Sequence, residues 1–254
     1  MKNILKFQLK DLLIGLSVYA LILLILTFTF ISITLSHDNV NINLNGNGFA
    51  NAIFCFIVGI GIYKEHCQMA VMNSVSRKDF FKSLLCVTVI TGILCTLIDQ
   101  VLSAISRLPG LNPASDPGFS NHFDHLMLLQ MIYPEFFETH SAAIIAATSF
   151  LVEFLVNSFL FIIGTLIAGI YCRMPKKYRT SYCIALPILG FGIFPMLFTS
   201  SLFYPRAANR VSDVFLGIMG ISSGNPFLGM LTFTVAIVIT ACICYLILRR
   251  TEIA

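Results

Sequence analysis

An all-α integral membrane protein with six transmembrane helices is the fold class this sequence predicts. Six long apolar stretches occur within 254 residues. The positive charges sit almost entirely on one side of them. Hydrophobic residues make up 57% of the chain and charged residues only 11%, against roughly 25% charged in a soluble domain.

The stretches are long enough to cross a bilayer. A hydrocarbon core about 30 Å thick needs roughly 20 apolar residues as helix. Charge-free windows run Leu12–Ser36, Asn39–Tyr63, Thr180–Pro205 and Val214–Leu248. Ser83–Ser106 and Ser141–Cys172 each hold one acid, Asp99 and Glu153. The predicted spans are 12–36, 46–63, 83–106, 142–172, 180–202 and 226–248, within one transmembrane domain.

Charge placement sets the orientation. With the N-terminus inside, 13 of the 16 Lys and Arg fall on the cytoplasmic side, from Lys2, Lys6 and Lys10 to Arg249 and Arg250. Only Arg107, Arg206 and Arg210 fall outside. This positive-inside bias puts both termini in the cytoplasm. The net charge of +4 is thereby assigned to orientation, and no nucleic-acid partner is expected. The first apolar run is too long for a cleaved signal. All eight cysteines fall in spans or cytoplasmic segments, so no disulfide framework is expected.

Taken in order, the elements begin with residues 1–11. Lys2, Lys6 and Lys10 recur every four residues, which predicts an N-terminal amphipathic interfacial helix facing anionic headgroups. The first outer loop is a short Asn- and Gly-rich connection. Lys64–Lys82 is the most informative inner segment. Met69, Val71 and Met72 form an apolar stripe on a short helix, and Asn73-Ser74-Val75 breaks it. Ser76 and Asp79 then have capping-box spacing and start a fresh helix.

The outer loop 107–141 is the largest polar piece. His125–Ile132 is apolar enough to lie on the outer membrane surface, with Tyr133, Phe136 and Phe137 as aromatic anchors. His122, Asp124, His125, Glu138 and His140 are metal-binding residue types, but their spacing matches no ligand pattern, so no metal is expected. The inner loop Arg173–Arg179 carries four cations in seven residues and meets anionic lipid. Pro187 and Pro195, with Gly190 and Gly192 between them, predict a bent fifth span. Gly220, Gly224, Asn225 and Pro226 interrupt the last apolar run, so Val211–Ile221 is expected as a re-entrant or outer helix before the last span.

Two acids lie within spans. A carboxylate in hydrocarbon is costly and faces the bundle interior, a partner or water. Asp99 and Glu153 therefore mark a translocation path or a dimer contact. The plainer alternatives are that Asp99 reaches the outer interface and that Glu153 is a protonated, hydrogen-bonded carboxyl between helices. No phosphate-binding loop, His-Glu-x-x-His pair or Gly-x-Ser-x-Gly elbow is present in the sequence, so no catalytic residue is assigned.

The segment Met-Ala-Val-Met-Asn-Ser-Val-Ser-Arg-Lys-Asp-Phe-Phe at Met69–Phe81 resembles the connection between spans two and three in permeases of the type-2 ATP-binding-cassette transporter family, particularly small six-span ones from Gram-positive bacteria. The ending Leu248-Arg249-Arg250-Thr251 and the six-span plan are also similar. The resemblance implies a permease subunit that exports an amphipathic peptide, drug or lipid-like substrate. It implies two permease chains, identical or related, and a separate ATPase subunit that binds ATP and Mg; this chain then carries no cofactor. It assigns Glu65, Met69, Met72, Ser76, Arg77, Lys78 and Asp79 to ATPase coupling. The chain has no large extracellular domain, which argues against the macrolide-exporter branch. Two other readings stand beside it: a non-transporting sensor or peptide-immunity protein, and an ion-coupled secondary transporter using Glu153 and Asp99.

Overall fold

The computed structural model describes residues 2–36, 42–43, 47–73, 75–106, 123–124, 128–139, 141–187, 213–214 and 216–249. Eight helices are described: α1 (Lys2–Ser36), α2 (Asn47–Met72), α3 (Arg77–Ser106), α4 (Leu128–Ile132), α5 (Pro134–Thr139), α6 (Ala142–Arg173), α7 (Lys176–Pro187) and α8 (Pro226–Arg249). Five of them, α1, α2, α3, α6 and α8, are long and apolar enough to cross a membrane. Of the fifth predicted span the described residues include only 180–187, within α7. Gly190, Gly192 and Pro195 lie outside the described residues.

The large exposed apolar faces fit a lipid surrounding. Along α1, Gln8, Leu12, Leu16, Leu23, Thr27 and Ile31 are buried at four- or seven-residue steps, one stripe turned to the bundle. Leu13, Ile14, Val18, Leu21, Ile25 and Phe28 face outward. On α8 the buried residues are Pro226, Gly229, Cys244 and Leu248. In water such faces drive association; in lipid they cost nothing.

The centre of the bundle is the α2–α6 crossing. A Cβ added at Gly59 would collide with the Phe161 carbonyl, and one at Gly164 with the Phe56 carbonyl. Each helix offers a glycine to the other's backbone. This close approach is how helices associate where lipid removes the hydrophobic drive. Tyr63, Phe80, Leu84, Val87 and Phe161 fill the core beside it.

All helix ends of one kind gather at one pole. Arg77, opening α3, donates from Nη1 to the carbonyl of Arg249, closing α8, at 2.6 Å. Ile4 and Phe7 of α1 share a groove with His66, Met69, Asn73 and Val75. The described beginning and end of the chain therefore lie beside the 73–76 turn. Among the described residues every Lys and Arg falls toward this pole, called inner below.

Three local expectations are corrected. The N-terminal segment is no separate helix, because α1 is unbroken from Lys2 to Ser36. Residues 2–11 hold neither Gly nor Pro, and Gln8 and Leu12 continue one buried stripe across the expected joint. The stripe around Met69 is not a detached helix either; it is the last two turns of α2, since nothing in Lys64–Gln68 breaks a helix. At the outer pole, Tyr133 and Phe136 are buried against protein rather than anchored in a membrane.

That outer contact is specific. The Tyr133 hydroxyl donates to the Met219 carbonyl at 2.6 Å, and Phe136 meets Phe227 edge-on. Gly229 makes room for the tyrosine, because a Cβ there would strike its hydroxyl. The interruption before α8 is present. Helical backbone at 213–214 and 216–218 gives way to turns over 219–224. Gly220 and Gly224 adopt φ of +73° and +61°, a region glycine enters without strain. Asn225 then caps α8 by accepting the Phe227 N–H at 3.0 Å, with Pro226 as first helical residue. Ile42 and Asn43 pair in parallel with Phe123 and Asp124, a link between the outer loops that the sequence did not suggest.

Candidate functional site

Two constellations answer to the predicted site residues, one inside the bundle and one at its inner pole. The inner one is a polar seam where α3 faces α6. Asp99 is 1% exposed and Glu153 2%, and their carboxyl groups are close enough to interact electrostatically. Asp99 is therefore covered by protein. It points into the bundle because it continues a buried face of α3 formed by Thr88, Thr91, Thr96 and Ser103.

Polar partners surround the pair. Ser149 donates to Glu153 Oε1 at 3.5 Å, one turn back along α6. One turn on, Asn157 donates from Nδ2 to Thr96 Oγ1 at 3.3 Å, and Thr96 bonds the Gly92 carbonyl at 2.8 Å. The seam extends toward α1 through Asn51, whose Nδ2 reaches the Cys95 carbonyl at 3.4 Å. Its Oδ1 accepts from the Tyr19 hydroxyl at 2.7 Å. Cys55 and Cys95 touch through sulfur at 3.5 Å, both as free thiols.

Buried polar groups are retained when they are hydrogen-bonded, and low dielectric strengthens each bond. Two full negative charges cannot sit side by side out of water, so the pair holds at least one proton. The seam can bind and release a proton or orient a polar group.

The partners of the acid pair were not singled out from sequence. A signal for them existed: Ser149, Glu153 and Asn157 are four apart, and Thr96, Asp99 or Gln100, and Ser103 are three or four apart. Such spacings share a helix face.

At the inner pole, α2 carries Glu65, Met69 and Met72, the methionines 44% and 83% exposed. Asn73 ends the helix by donating from Nδ2 to the Met69 carbonyl at 2.8 Å. Ser76 then caps α3: its Oγ accepts the Asp79 N–H at 3.1 Å, the first bond of a capping box, while the Asp79 carboxylate accepts from the Ser76 hydroxyl at 2.8 Å rather than from the Ser76 backbone N–H. Lys78 is exposed, whereas Arg77 is committed to Arg249. A cation on the last carbonyls of a helix also meets the negative end of its dipole. Between α1 and this elbow lies a groove of about 500 Å³. At its edge His66 Nε2 sits 3.6 Å from Asp11 Oδ2.

Among the described residues no group of three or more His, Cys, Asp or Glu is placed to hold a metal ion. His122, His125 and His140 lie outside the described residues. No protein-family model matches the chain, and neither a curated protein nor a solved structure matches it.

Proposed function

We propose that this chain is the membrane-spanning permease subunit of an ATP-driven exporter in a bacterial plasma membrane, with both termini inside. ATP and Mg belong to a separate cytoplasmic ATPase docked on the elbow 64–82. Two permease chains enclose the path for an amphipathic peptide, drug or lipid-like substrate.

The observation that carries this reading is the continuity of α2. The helix that packs backbone to backbone on α6 at Gly59 and Gly164 runs unbroken to an exposed Met72. A force applied at the methionines is therefore delivered to the bundle centre without a hinge. Through the capped start of α3 and the Arg77–Arg249 bond, the same force reaches α8. Exposed methionines among cations suit an adaptable protein contact. The Met69–Phe81 pattern places the expected ATPase contact on this same elbow.

A mild-detergent pull-down of the tagged chain from its own membranes, with ATPase assayed on the eluate, tests the reading. A co-eluting soluble ATPase, lost in a Met69→Ser, Met72→Ser double variant of unchanged stability, supports it. A chain that elutes without ATPase activity counts against it.

One observation favours a second reading. The facing carboxyls of Asp99 and Glu153 suit a proton-coupled carrier, whose ion sites lie inside the bundle. Such a carrier loses transport when the proton gradient is collapsed, whatever happens to ATP.

A further inference from the structure

A different cavity opens near the inner pole, on the far side of α2 from the α1 groove. It encloses about 200 Å³ between α2, α6 and α7. Ile60, Ile167, Ala168 and Leu186 line its body, with Tyr171 and Lys64 at its mouth. The slot exists because α7 is tied back along α6 by its Tyr182 hydroxyl, which donates to the Ile167 carbonyl at 3.4 Å.

Two cations share the aromatic ring at the mouth. Lys64 Nζ lies 5.8 Å from the Tyr171 ring centroid, and the Arg179 guanidinium 5.5 Å. Arg179 is held there by donating from Nε to the Met174 carbonyl at 3.0 Å and from Nη2 to the Cys172 carbonyl at 3.4 Å. A guanidinium has about five N–H donors, so most remain to be offered. Glu65 follows Lys64 but points about 100° away around the helix.

We infer that this slot binds one anionic phospholipid of the inner leaflet, its phosphate between Lys64 and Arg179 and one acyl chain along the slot. The position suits such a molecule. Lys64 is the first charged residue after the apolar run of α2, at the level where headgroups meet hydrocarbon. The two cations select a negative headgroup, each contributing several-fold near an anionic surface. The apolar slot selects a tail, which a soluble anion lacks. Bound there, the lipid joins α2, α6 and α7 through one ligand.

The chain has no tryptophan, so Tyr171→Trp places a single fluorescent reporter at the mouth of the slot in the full-length protein and keeps an aromatic ring beside both cations. Reconstituted into phosphatidylcholine vesicles, it is titrated with dibromo-phosphatidylglycerol or dibromo-phosphatidylcholine. Half-quenching is expected at about tenfold lower mole fraction of the anionic lipid. Lys64→Gln should remove most of that preference. Cys183→Phe, which fills the slot and leaves both cations, should remove it as well, and Lys177→Gln should keep it. Equal quenching by both lipids overturns the proposal. So does a Lys177→Gln loss as large as that of Lys64→Gln, which would mean a diffuse basic surface. Quenching that ignores lipid while emission changes on protein dilution also overturns it, in favour of a second copy in the slot.

Discussion

Asp99 on α3 and Glu153 on α6 are both buried in the bundle, with their carboxyls close enough to interact electrostatically. The pair holds at least one proton, and Ser149 braces Glu153 from one turn back along α6. For an ATP-driven exporter this arrangement is structural or substrate-orienting. Glu153→Gln, which preserves a hydrogen-bonding group in place of the protonated acid, should retain most export, measured in inverted vesicles supplied with the partner ATPase and ATP. An uncoupler should leave that transport intact. Abolished transport in the glutamine variant, together with sensitivity to the uncoupler, would favour the carrier reading.

The α2–α6 crossing leaves no room for a side chain. Gly59→Ala and Gly164→Ala should each lower stability by about 1–3 kcal/mol, the cost of overpacking a well-filled site. Thermal unfolding in detergent measures it. Gly61→Ala on the same helix meets nothing within 4 Å and should be neutral or slightly stabilising.

Arg77 and Lys78 are adjacent, yet the structure gives them different work. Arg77→Gln should loosen the end of α8, seen as faster amide exchange over 245–249, whereas Lys78→Gln should leave that exchange unchanged. Ser76→Ala should cost about 1 kcal/mol through the lost cap and fray the start of α3. Equal exchange in the two charge variants would refute the Arg77–Arg249 tie.

At the outer pole, burial pushes the Tyr133 phenol above its usual value. The folded protein therefore holds that proton more tightly than the unfolded chain. The stability this contributes is fully present below about pH 10, the ordinary phenol value, and is lost as pH rises through the higher folded value. Tyr133→Phe should cost about 1 kcal/mol near neutrality through the lost bond to Met219. The alkaline decline should be smaller in the variant than in the parent, read from melting temperature against pH.

Much of this was legible in the sequence because the bilayer imposes lengths and charge placements on a chain. The predicted spans of α1, α3, α6 and α8 lie within those helices, which run past them by between one and ten residues at the inner pole. Ser76 and Asp79 announced the cap, and Gly220 to Pro226 announced the interruption before α8. Helix rotation was less legible. Which way Asp99 turns depends on how α3 packs on α6, which no single run of residues states. The continuity of α1 and α2 was less legible, because a lysine ends an apolar run without ending a helix. A helix leaving the membrane needs only helix-forming residues, and residues 2–11 and 64–72 supply them. Tyr133 and Phe136 looked like interfacial aromatics, since nothing nearby in sequence reveals the gap that Gly229 leaves for them.

The reciprocal glycines of α2 and α6 also constrain how the molecule is made. Helices enter the membrane in order of synthesis, and the partner surface that Gly59 requires arrives only with Phe161. Until the fourth predicted span has left the ribosome, α2 waits beside α3 with its closest contact unmade. The half-finished protein therefore leaves the Gly59 face of α2 without the backbone it fits until α6 arrives.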